Sequence, residues 1–226
     1  REHSSKAAFT CMGKTLTFAD VDRLSAQFAG YLQNHTNLNA GDRVAVQLPN
    51  ILQYPVVVFG IFRAGMVLVN TNPLYTGREV KHQLTDSGAK ALVVLSNIAD
   101  TAAKVVADTG VEQVIVTDIG DFHGLAKRLL INTAAKYVKK LVPEFEFKNR
   151  ISLLKAMSLG AGSSLKPLTT QPDDVAVLQY TGGTTGVAKG AMLTHGNLVS
   201  NMSQVEESLV VKEEQEIYIA PLPLYH

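Results

Sequence analysis

The sequence predicts an α/β fold in which helices cover a mostly parallel sheet. Two short runs, 91–95 and 114–116, consist only of Ala, Val, Leu and Ile. Runs that are apolar at every position are typical of parallel strands buried on both faces. Stretches with helical spacing of apolar residues alternate with such runs, which is the order expected of strand–helix–strand units.

The first predicted helix begins at a capping signal. Thr17 stands three residues before Asp20, and in this arrangement each side chain accepts a backbone hydrogen at the helix start. Residues 34–42 are predicted to form a loop around Gly41. Apolar residues at helical spacing define the face that we expect to be buried: Val21, Leu24, Phe28, Tyr31 and Leu32.

The next elements follow as strand, helix and strand. Residues 43–48 predict a short strand. Residues 51–64 are apolar on nearly all sides and predict a buried helix, which Gly65 terminates. Residues 66–69 predict another strand, and residues 70–73 have the composition of a turn.

Three more features are predicted in the middle of the chain. Thr76 and Glu79 form a second capping signal, for a helix that ends near Gly88. A further helix is predicted over about 98–108, between the two apolar runs. Residues 160–172 are rich in Gly, Ser, Thr and Pro, and they predict a boundary between subdomains.

The last part of the chain predicts strands at 175–180, 191–193 and 216–220, with a helix over about 196–209. The sequence stops in a Pro-rich apolar stretch directly after the last strand, and its first residue is not Met. We therefore expect it to be a piece of a longer chain.

Composition excludes several classes of protein. The 226 residues are 46% hydrophobic and 18% charged, with a net charge of +1, which excludes disorder and gives no reason to expect nucleic acid as a partner. The most apolar stretch, 54–62, is too short to span a bilayer, and no signal peptide is visible. The single cysteine, Cys11, excludes an intrachain disulfide and a Cys-based zinc site, which fits a cytoplasmic protein.

Residues 181–190 have the composition of a phosphate-binding loop. They read Thr-Gly-Gly-Thr-Thr-Gly-Val-Ala-Lys-Gly. Glycines let backbone N–H groups converge on phosphate oxygens, threonine hydroxyls donate hydrogen bonds or bind Mg²⁺, and Lys189 supplies a positive charge. The alternative is a plain glycine hairpin between two strands. The segment has neither the Walker nor the Rossmann pattern, and the chain has no G-x-S-x-G or H-E-x-x-H motif.

Residues 180–195, which run from Tyr-Thr-Gly-Gly-Thr-Thr-Gly to Thr-His, resemble the phosphate-loop signature of adenylate-forming enzymes. This superfamily holds acyl-CoA synthetases, luciferases and adenylation domains. Segments 41–45, 49–50, 64–65, 72–76 and 221–226 agree in the same order, and Asn-Pro-Leu-Tyr-Thr with Leu-Pro-Leu-Tyr-His most resembles bacterial long-chain fatty acid–CoA ligases. The resemblance implies that the chain is the N-terminal part of an AMP-binding domain with the adenylate-forming fold.

The resemblance also implies a reaction and its residues. A fatty acid and ATP would give acyl-AMP, from which coenzyme A would take the acyl group, with Mg²⁺ as cofactor. Lys189 and His226 would be catalytic, with His226 at the carboxylate site, and Thr181 would bind Mg²⁺. The residues implied for the β- and γ-phosphates are Thr181, Gly182, Gly183, Thr184, Thr185, Gly186 and Lys189.

Family members are more than twice as long as this chain, and several of their functional segments fall beyond residue 226. These are the Tyr-Gly-x-Thr-Glu segment, the ribose-binding Asp, the hinge and a late lysine. We therefore expect the segment alone to be inactive. Two alternatives stay open: adenylation of an aryl or amino acid, and a non-catalytic module that binds a nucleotide or a lipid. The sequence does not indicate an oligomeric state.

Residues 122–142 combine apolar residues at helical spacing with five basic residues and no acidic ones. Such a helix either packs on the core with solvated lysines, which we expect, or lies peripherally on the inner face of the cell membrane. The histidines show no metal-ligand spacing, and His195 is predicted to have a structural role at a helix start.

Overall fold

The computed structural model of the chain describes residues 3–181, 188–208 and 217–225. These residues form a mixed sheet flanked by helices, and a separate hairpin. The strands are β1 (Ala7–Cys11), β2 (Lys14–Thr17), β3 (Arg43–Gln47), β4 (Val67–Asn70), β5 (Ala89–Leu95), β6 (Gln113–Thr117), β7 (Arg150–Ser152), β8 (Val175–Thr181) and β9 (Lys189–Thr194). The α-helices are α1 (Phe18–Asn34), α2 (Gln53–Arg63), α3 (Gly77–Ser87), α4 (Ala99–Ala103), α5 (Leu125–Thr133), α6 (Leu153–Gly160) and α7 (His195–Ser208).

The main sheet has the order β7-β6-β5-β3-β4-β8-β9, and β1 pairs with β2 alone. All neighbours from β7 to β8 are parallel, whereas β9 runs antiparallel to β8. The prediction of a mostly parallel sheet is therefore confirmed. The carboxyl ends of the parallel strands meet at one edge of the sheet, where ligands bind in open α/β sheets.

Two apolar layers cover the sheet. Val44 and Val46 of β3 join the cluster formed with α1, α2 and α6, whereas Ala45 joins the cluster formed with α3 and α4. Successive strand residues point to opposite faces, so a strand buried on both sides needs apolar residues at each of these positions.

Both predicted helix starts are confirmed as capping boxes. The Thr17 hydroxyl accepts from Asp20 N at 3.1 Å, and the Asp20 carboxylate accepts from Thr17 N at 3.2 Å. Thr76 and Glu79 repeat this arrangement at α3. Gly88 then ends α3 with a φ of 61°, a conformation that glycine adopts without strain.

Two predicted elements are wrong in detail. The single helix over 98–108 is instead a short 3₁₀ turn, α4, and a second 3₁₀ turn at Val106–Asp108. The β-branched residues Val105 and Val106 favour helix weakly, and both pack against the cluster below α4. In the predicted last strand, residues 217–220 pair with no strand in the part of the chain that is described, and Glu216 lies outside it.

The hairpin β1–β2, strand β7 and helix α6 were not predicted. Residues 161–172 lack regular structure but lie along α1, where Lys166 N donates to Gln33 Oε1 at 2.8 Å. Strand β8 then enters the same sheet, beside β4. A subdomain boundary at 160–172 stays a prediction.

The expectation that the basic helix packs on the core is wrong for the described residues. Helix α5 has no buried residue, and it continues as a π-helical turn at Ala134–Val138, of which Ala135 is the buried member. Six large apolar side chains in this region are each more than half exposed: Leu125, Leu129, Leu130, Tyr137, Val138 and Leu141. No described helix is long and apolar enough to cross a membrane.

Candidate functional site

The glycine- and threonine-rich sequence connects the two antiparallel strands at the end of the main sheet. Thr181 closes β8 and stands opposite Lys189, the first residue of β9. The structure therefore places opposite each other the two residues whose hydroxyl and ammonium groups were predicted to bind phosphate. Both residues are exposed at the carboxyl end of β8. Five further predicted residues lie outside the described part of the chain: Gly182, Gly183, Thr184, Thr185 and Gly186.

Helix α3 contacts β8 and the residue just before β9, beside the loop. The Tyr180 hydroxyl donates to Asp86 Oδ2 at 2.6 Å, and His82 Nε2 lies 3.1 Å from the Ala188 carbonyl oxygen. Burial raises the pKa of the Tyr180 hydroxyl, and the hydrogen bond to Asp86 raises it further. The Tyr180 hydroxyl therefore keeps its proton at neutral pH and donates the hydrogen bond to Asp86. Its ring packs on Gly190, where an added Cβ would lie 2.9 Å from Tyr180 Cε2.

A chain of amide groups joins the carboxyl ends of β4 and β8. Gln179 Nε2 donates to the Tyr225 carbonyl at 2.9 Å, so Gln179 Oε1 faces β4 and accepts from Asn70 Nδ2 at 2.9 Å. Asn70 O in turn accepts from Gln83 Nε2 of α3 at 2.7 Å. Each amide orientation follows from its neighbour, because a donor must meet an acceptor at every step.

Besides Gln179, two further side chains hold the segment 217–225 against this edge of the sheet. The Tyr54 hydroxyl lies 2.8 Å from Asn70 Oδ1 and 2.7 Å from the Leu224 carbonyl oxygen, and its one proton serves one acceptor at a time. Burial raises the pKa of Tyr54 to about 12. Asn50, just after β3, bonds Ala220, Leu222 and Leu224 through its side-chain amide.

His226 lies outside the described residues. Its neighbour Tyr225 is held through the bond from Gln179, two positions before Thr181. The structure thus attaches the chain immediately before His226 to the strand that carries the loop.

The described residues contain no group of three or more His, Cys, Asp or Glu side chains that could hold a metal ion. Thr181 offers one exposed hydroxyl oxygen, the hard type of ligand that Mg²⁺ prefers. One such ligand fits an ion that arrives already bound to nucleotide phosphates, since Mg²⁺ is commonly held by one or two protein groups together with phosphate and water.

His195 is the first residue of α7, and its ring meets that of Phe62 edge to face, with centroids 5.7 Å apart. Its predicted structural role agrees with this packing. Sequence reasoning missed four residues that hold the edge: Asn50, Tyr54, Asn70 and Gln179. A usable signal was present for Asn50 and Asn70, because polar residues at the carboxyl ends of apolar parallel strands lie where ligands bind.

A protein-family profile described as AMP-binding enzyme matches residues 1–226. The chain is 48% identical over 226 residues to a long-chain-fatty-acid–CoA ligase of Escherichia coli O157:H7, with 99% of this chain and 40% of that protein aligned. A long-chain-fatty-acid–CoA ligase of Haemophilus influenzae is also 48% identical, over 100% of this chain and 41% of its own length. The chain thus spans about 40% of the length of these relatives.

Solved structures agree with this similarity. Apo MatB from Rhodopseudomonas palustris superposes with a TM-score of 0.75 at 28% identity, covering 100% of this chain and 39% of MatB. The ATP-bound form of MatB gives a TM-score of 0.72 over 95% of this chain and 36% of its own. A long-chain-fatty-acid–CoA ligase from Archaeoglobus fulgidus gives 0.65 at 28% identity, over 89% of this chain and 34% of its own.

Proposed function

Because this chain belongs to the AMP-binding enzyme family, we propose that the protein activates a long-chain fatty acid with ATP and then transfers the acyl group to coenzyme A. The placement of Thr181 opposite Lys189, at the two ends of a glycine-rich connection, carries the proposal. The identity to ligases of long-chain fatty acids supports the choice of substrate.

The first proposed step joins two anions. A carboxylate oxygen of the fatty acid bonds to the α-phosphorus of ATP, and the bond from that phosphorus to the oxygen bridging to the β-phosphate breaks, which releases pyrophosphate. In the second step the thiol of coenzyme A gives its proton to solvent and its sulfur bonds to the acyl carbon. The bond from that carbon to the phosphate oxygen breaks, and AMP leaves with the former carboxylate oxygen. Positive charge and N–H groups around the phosphates are therefore the expected catalytic means.

We assign Lys189 to the negative charge of the β- and γ-phosphates, beside backbone N–H groups of the glycine-rich residues 182–186. The Thr181 hydroxyl would hold Mg²⁺, which supplies further positive charge at the phosphates when bound. His226, next to the anchored Tyr225, would line the site of the fatty carboxylate.

The test is ATP–pyrophosphate exchange by the protein from the complete gene. We expect Lys189→Ala to reduce exchange by roughly 10²–10³-fold, which is the effect of losing one positioned electrostatic group. Lys155→Ala is the matched control, because Lys155 is exposed on α6 beside β7, at the opposite end of the sheet. Equal exchange by both variants would remove Lys189 from the mechanism. Exchange with benzoate or an amino acid, and none with palmitate, would contradict the proposed substrate.

A second variant tests the glycine-rich loop itself. Valine at position 183 adds a branched side chain where the backbone is proposed to approach phosphate, so Gly183→Val should weaken ATP binding. Titration calorimetry with ATP measures the effect. Full affinity in this variant would show that the loop does not enclose the nucleotide.

We further propose that the protein is cytoplasmic and associates reversibly with anionic membrane surfaces through residues 122–142. The exposed apolar side chains of α5 and the following π-helical turn support this proposal. The charged residues of this segment are all basic, which also supports it. The basic residues are Lys127, Arg128, Lys136, Lys139 and Lys140. Each basic residue near an anionic surface contributes about 1 kcal/mol, and salt screens the attraction.

Sedimentation with phosphatidylglycerol vesicles tests the membrane proposal. The triple variant with Lys136, Lys139 and Lys140 changed to Glu should bind more than about 100-fold more weakly at low salt. Changing Lys104, Lys148 and Lys155 to Glu makes the same charge change at exposed sites elsewhere. If both variants bind like the wild type, residues 122–142 do not contact the membrane.

A further inference from the structure

Helix α3 contacts Tyr180 of β8 and Ala188, the residue just before β9, on the two sides of the predicted phosphate-binding loop. We infer that His82 and Asp86 of α3 are positioning residues for this loop, an inference that rests on the proposed function. Neither residue bonds to Thr181 or Lys189, the two predicted phosphate-binding residues that the structure describes. Each acts on a residue that stands next to one of the two loop ends.

The Asp86 contact fixes the entry to the loop. Its carboxylate accepts from the hydroxyl of Tyr180, the residue just before Thr181, at 2.6 Å. The Tyr180 ring is buried and packs on Gly190 of the opposite strand, so one side chain contacts both strands of the hairpin. Hydrogen bonds to a charged acceptor are stronger than neutral ones, which makes this the firmer of the two contacts.

The His82 contact fixes the exit from the loop. Nε2 lies 3.1 Å from the carbonyl oxygen of Ala188, which directly precedes Lys189. A carbonyl oxygen can only accept, so the imidazole nitrogen donates here. The peptide group that joins Ala188 to Lys189 is planar. A hydrogen bond to its oxygen therefore fixes the orientation of the backbone at Lys189. The same hydrogen bond keeps the carbonyl oxygen, which carries a partial negative charge, facing α3.

The geometry of a helix suits this double contact. Residues four apart lie on the same face and are separated by about 6 Å along the axis, comparable with the ~4.8 Å between neighbouring strands. Helix α3 is itself well fixed, by the Thr76 capping box, by Gly88 at its end, and by the bond from Gln83 to the end of β4. It therefore provides a rigid support for the two ends of a glycine-rich segment.

We test the inference with His82→Ala and Asp86→Ala in the protein from the complete gene. Each variant should raise the KM for ATP about 3- to 10-fold, the equivalent of one net hydrogen bond, and leave the KM for palmitate unchanged. Asp86→Asn keeps an acceptor oxygen for Tyr180, and His82→Gln keeps a side-chain N–H donor. Both should restore most of the ATP affinity.

Two comparisons separate positioning from a merely structural role. Tyr180→Phe removes the same bond as Asp86→Ala, so the double variant should be no worse than the more affected single one. Thr85→Ala, at an exposed position on the same helix, should leave both KM values as in the wild type. A structural defect would instead lower the unfolding midpoint and raise both KM values together.

The inference is overturned if His82→Ala and Asp86→Ala leave the KM for ATP unchanged, or if Asp86→Asn is as impaired as Asp86→Ala. Direct titration with ATP keeps this test separate from the proposed function. A wild type that binds ATP without palmitate-dependent exchange refutes the proposed reaction, while the affinities of the variants still decide the role of α3. A wild type that does not bind ATP refutes both.

Discussion

Helices α2 and α5 both have many apolar residues, yet they have opposite surroundings. In α2, Val56, Val57 and Ile61 are fully buried between α1 and the sheet, whereas α5 has no buried residue. The one charged residue of α2 is Arg63, in its last turn. Charges instead recur through α5 and the turn after it. The placement of charge, more than the number of apolar residues, therefore decides whether such a helix joins the core.

The largest expected difference is in truncation of a leucine-sized side chain. Ile61→Ala should lower the free energy of unfolding by about 2–5 kcal/mol, because it leaves a cavity in the core. Leu130→Ala should change it by less than about 0.5 kcal/mol, because Leu130 of α5 is 70% exposed. Urea unfolding of both variants measures the difference. A loss of several kcal/mol in Leu130→Ala would mean that α5 is packed against the protein.

A smaller difference is expected from adding a hydroxymethyl group to a glycine. At Gly60 of α2 an added Cβ would lie 2.7 Å from Phe28 Cδ1, so Gly60→Ser should cost about 1–3 kcal/mol. A Cβ added at Gly124, before α5, would have no described atom within 4 Å beyond its chain neighbours, and serine is a good N-cap. Gly124→Ser should change stability by only a few tenths of a kcal/mol. Similar unfolding midpoints for the two variants would contradict the tight packing of α2.

The smallest effects are expected from pH, and they differ in sign between Asp42, just before β3, and Asp121, beside α5. Burial of Asp42 raises its pKa, but the bonds from Asn39 N and Lys90 outweigh it and hold the pKa below its usual value. The stability that Asp42 contributes is present above its unfolded pKa, about 3.9, and is lost as the pH falls through its lower folded pKa. Asp121, whose carboxylate accepts from Asn132 of α5, has a pKa raised by burial. Its contribution is present below the unfolded value and is lost as the pH rises through the folded one.

Asp42→Asn and Asp121→Asn therefore change the pH dependence in opposite directions. The first should flatten the rise of stability with pH below about 4, and the second should remove a loss of stability above it. Unfolding free energies measured from about pH 3 to pH 6 test both. Parallel profiles for the wild type and Asp121→Asn would show that the Asp121 carboxyl is not perturbed.

Local interactions account for the parts of the fold that the sequence predicted. A capping box joins residues three apart, and a buried parallel strand is apolar at every position. The helix starts at Thr17 and Thr76 and the strand β5 can therefore be recognised from a few consecutive residues. The order of the strands is not, because it depends on which distant segments bury each other. The same holds for the bond between Asn70 and Gln179, 109 positions apart. A short sequence pattern carries no trace of such a pair.

The candidate site divides in the same way. Thr181 and Lys189 belong to one continuous motif and were found from it. Tyr54 and Asn50 were not found, because each acts on a backbone segment about 170 positions away. Their partners in that segment are main-chain groups, which leave no mark in the amino-acid sequence.

The bonds of Asn50 have a consequence for how the segment 217–225 detaches from the protein. One side-chain amide donates to Ala220 O at 3.1 Å and Leu222 O at 2.8 Å, and it accepts from Leu224 N at 2.8 Å. Rotation of this one side chain breaks all three bonds together, whereas a strand ladder frays one residue at a time. We therefore expect the Leu224 amide to exchange its hydrogen with solvent through a single local opening, whose frequency Asn50 sets.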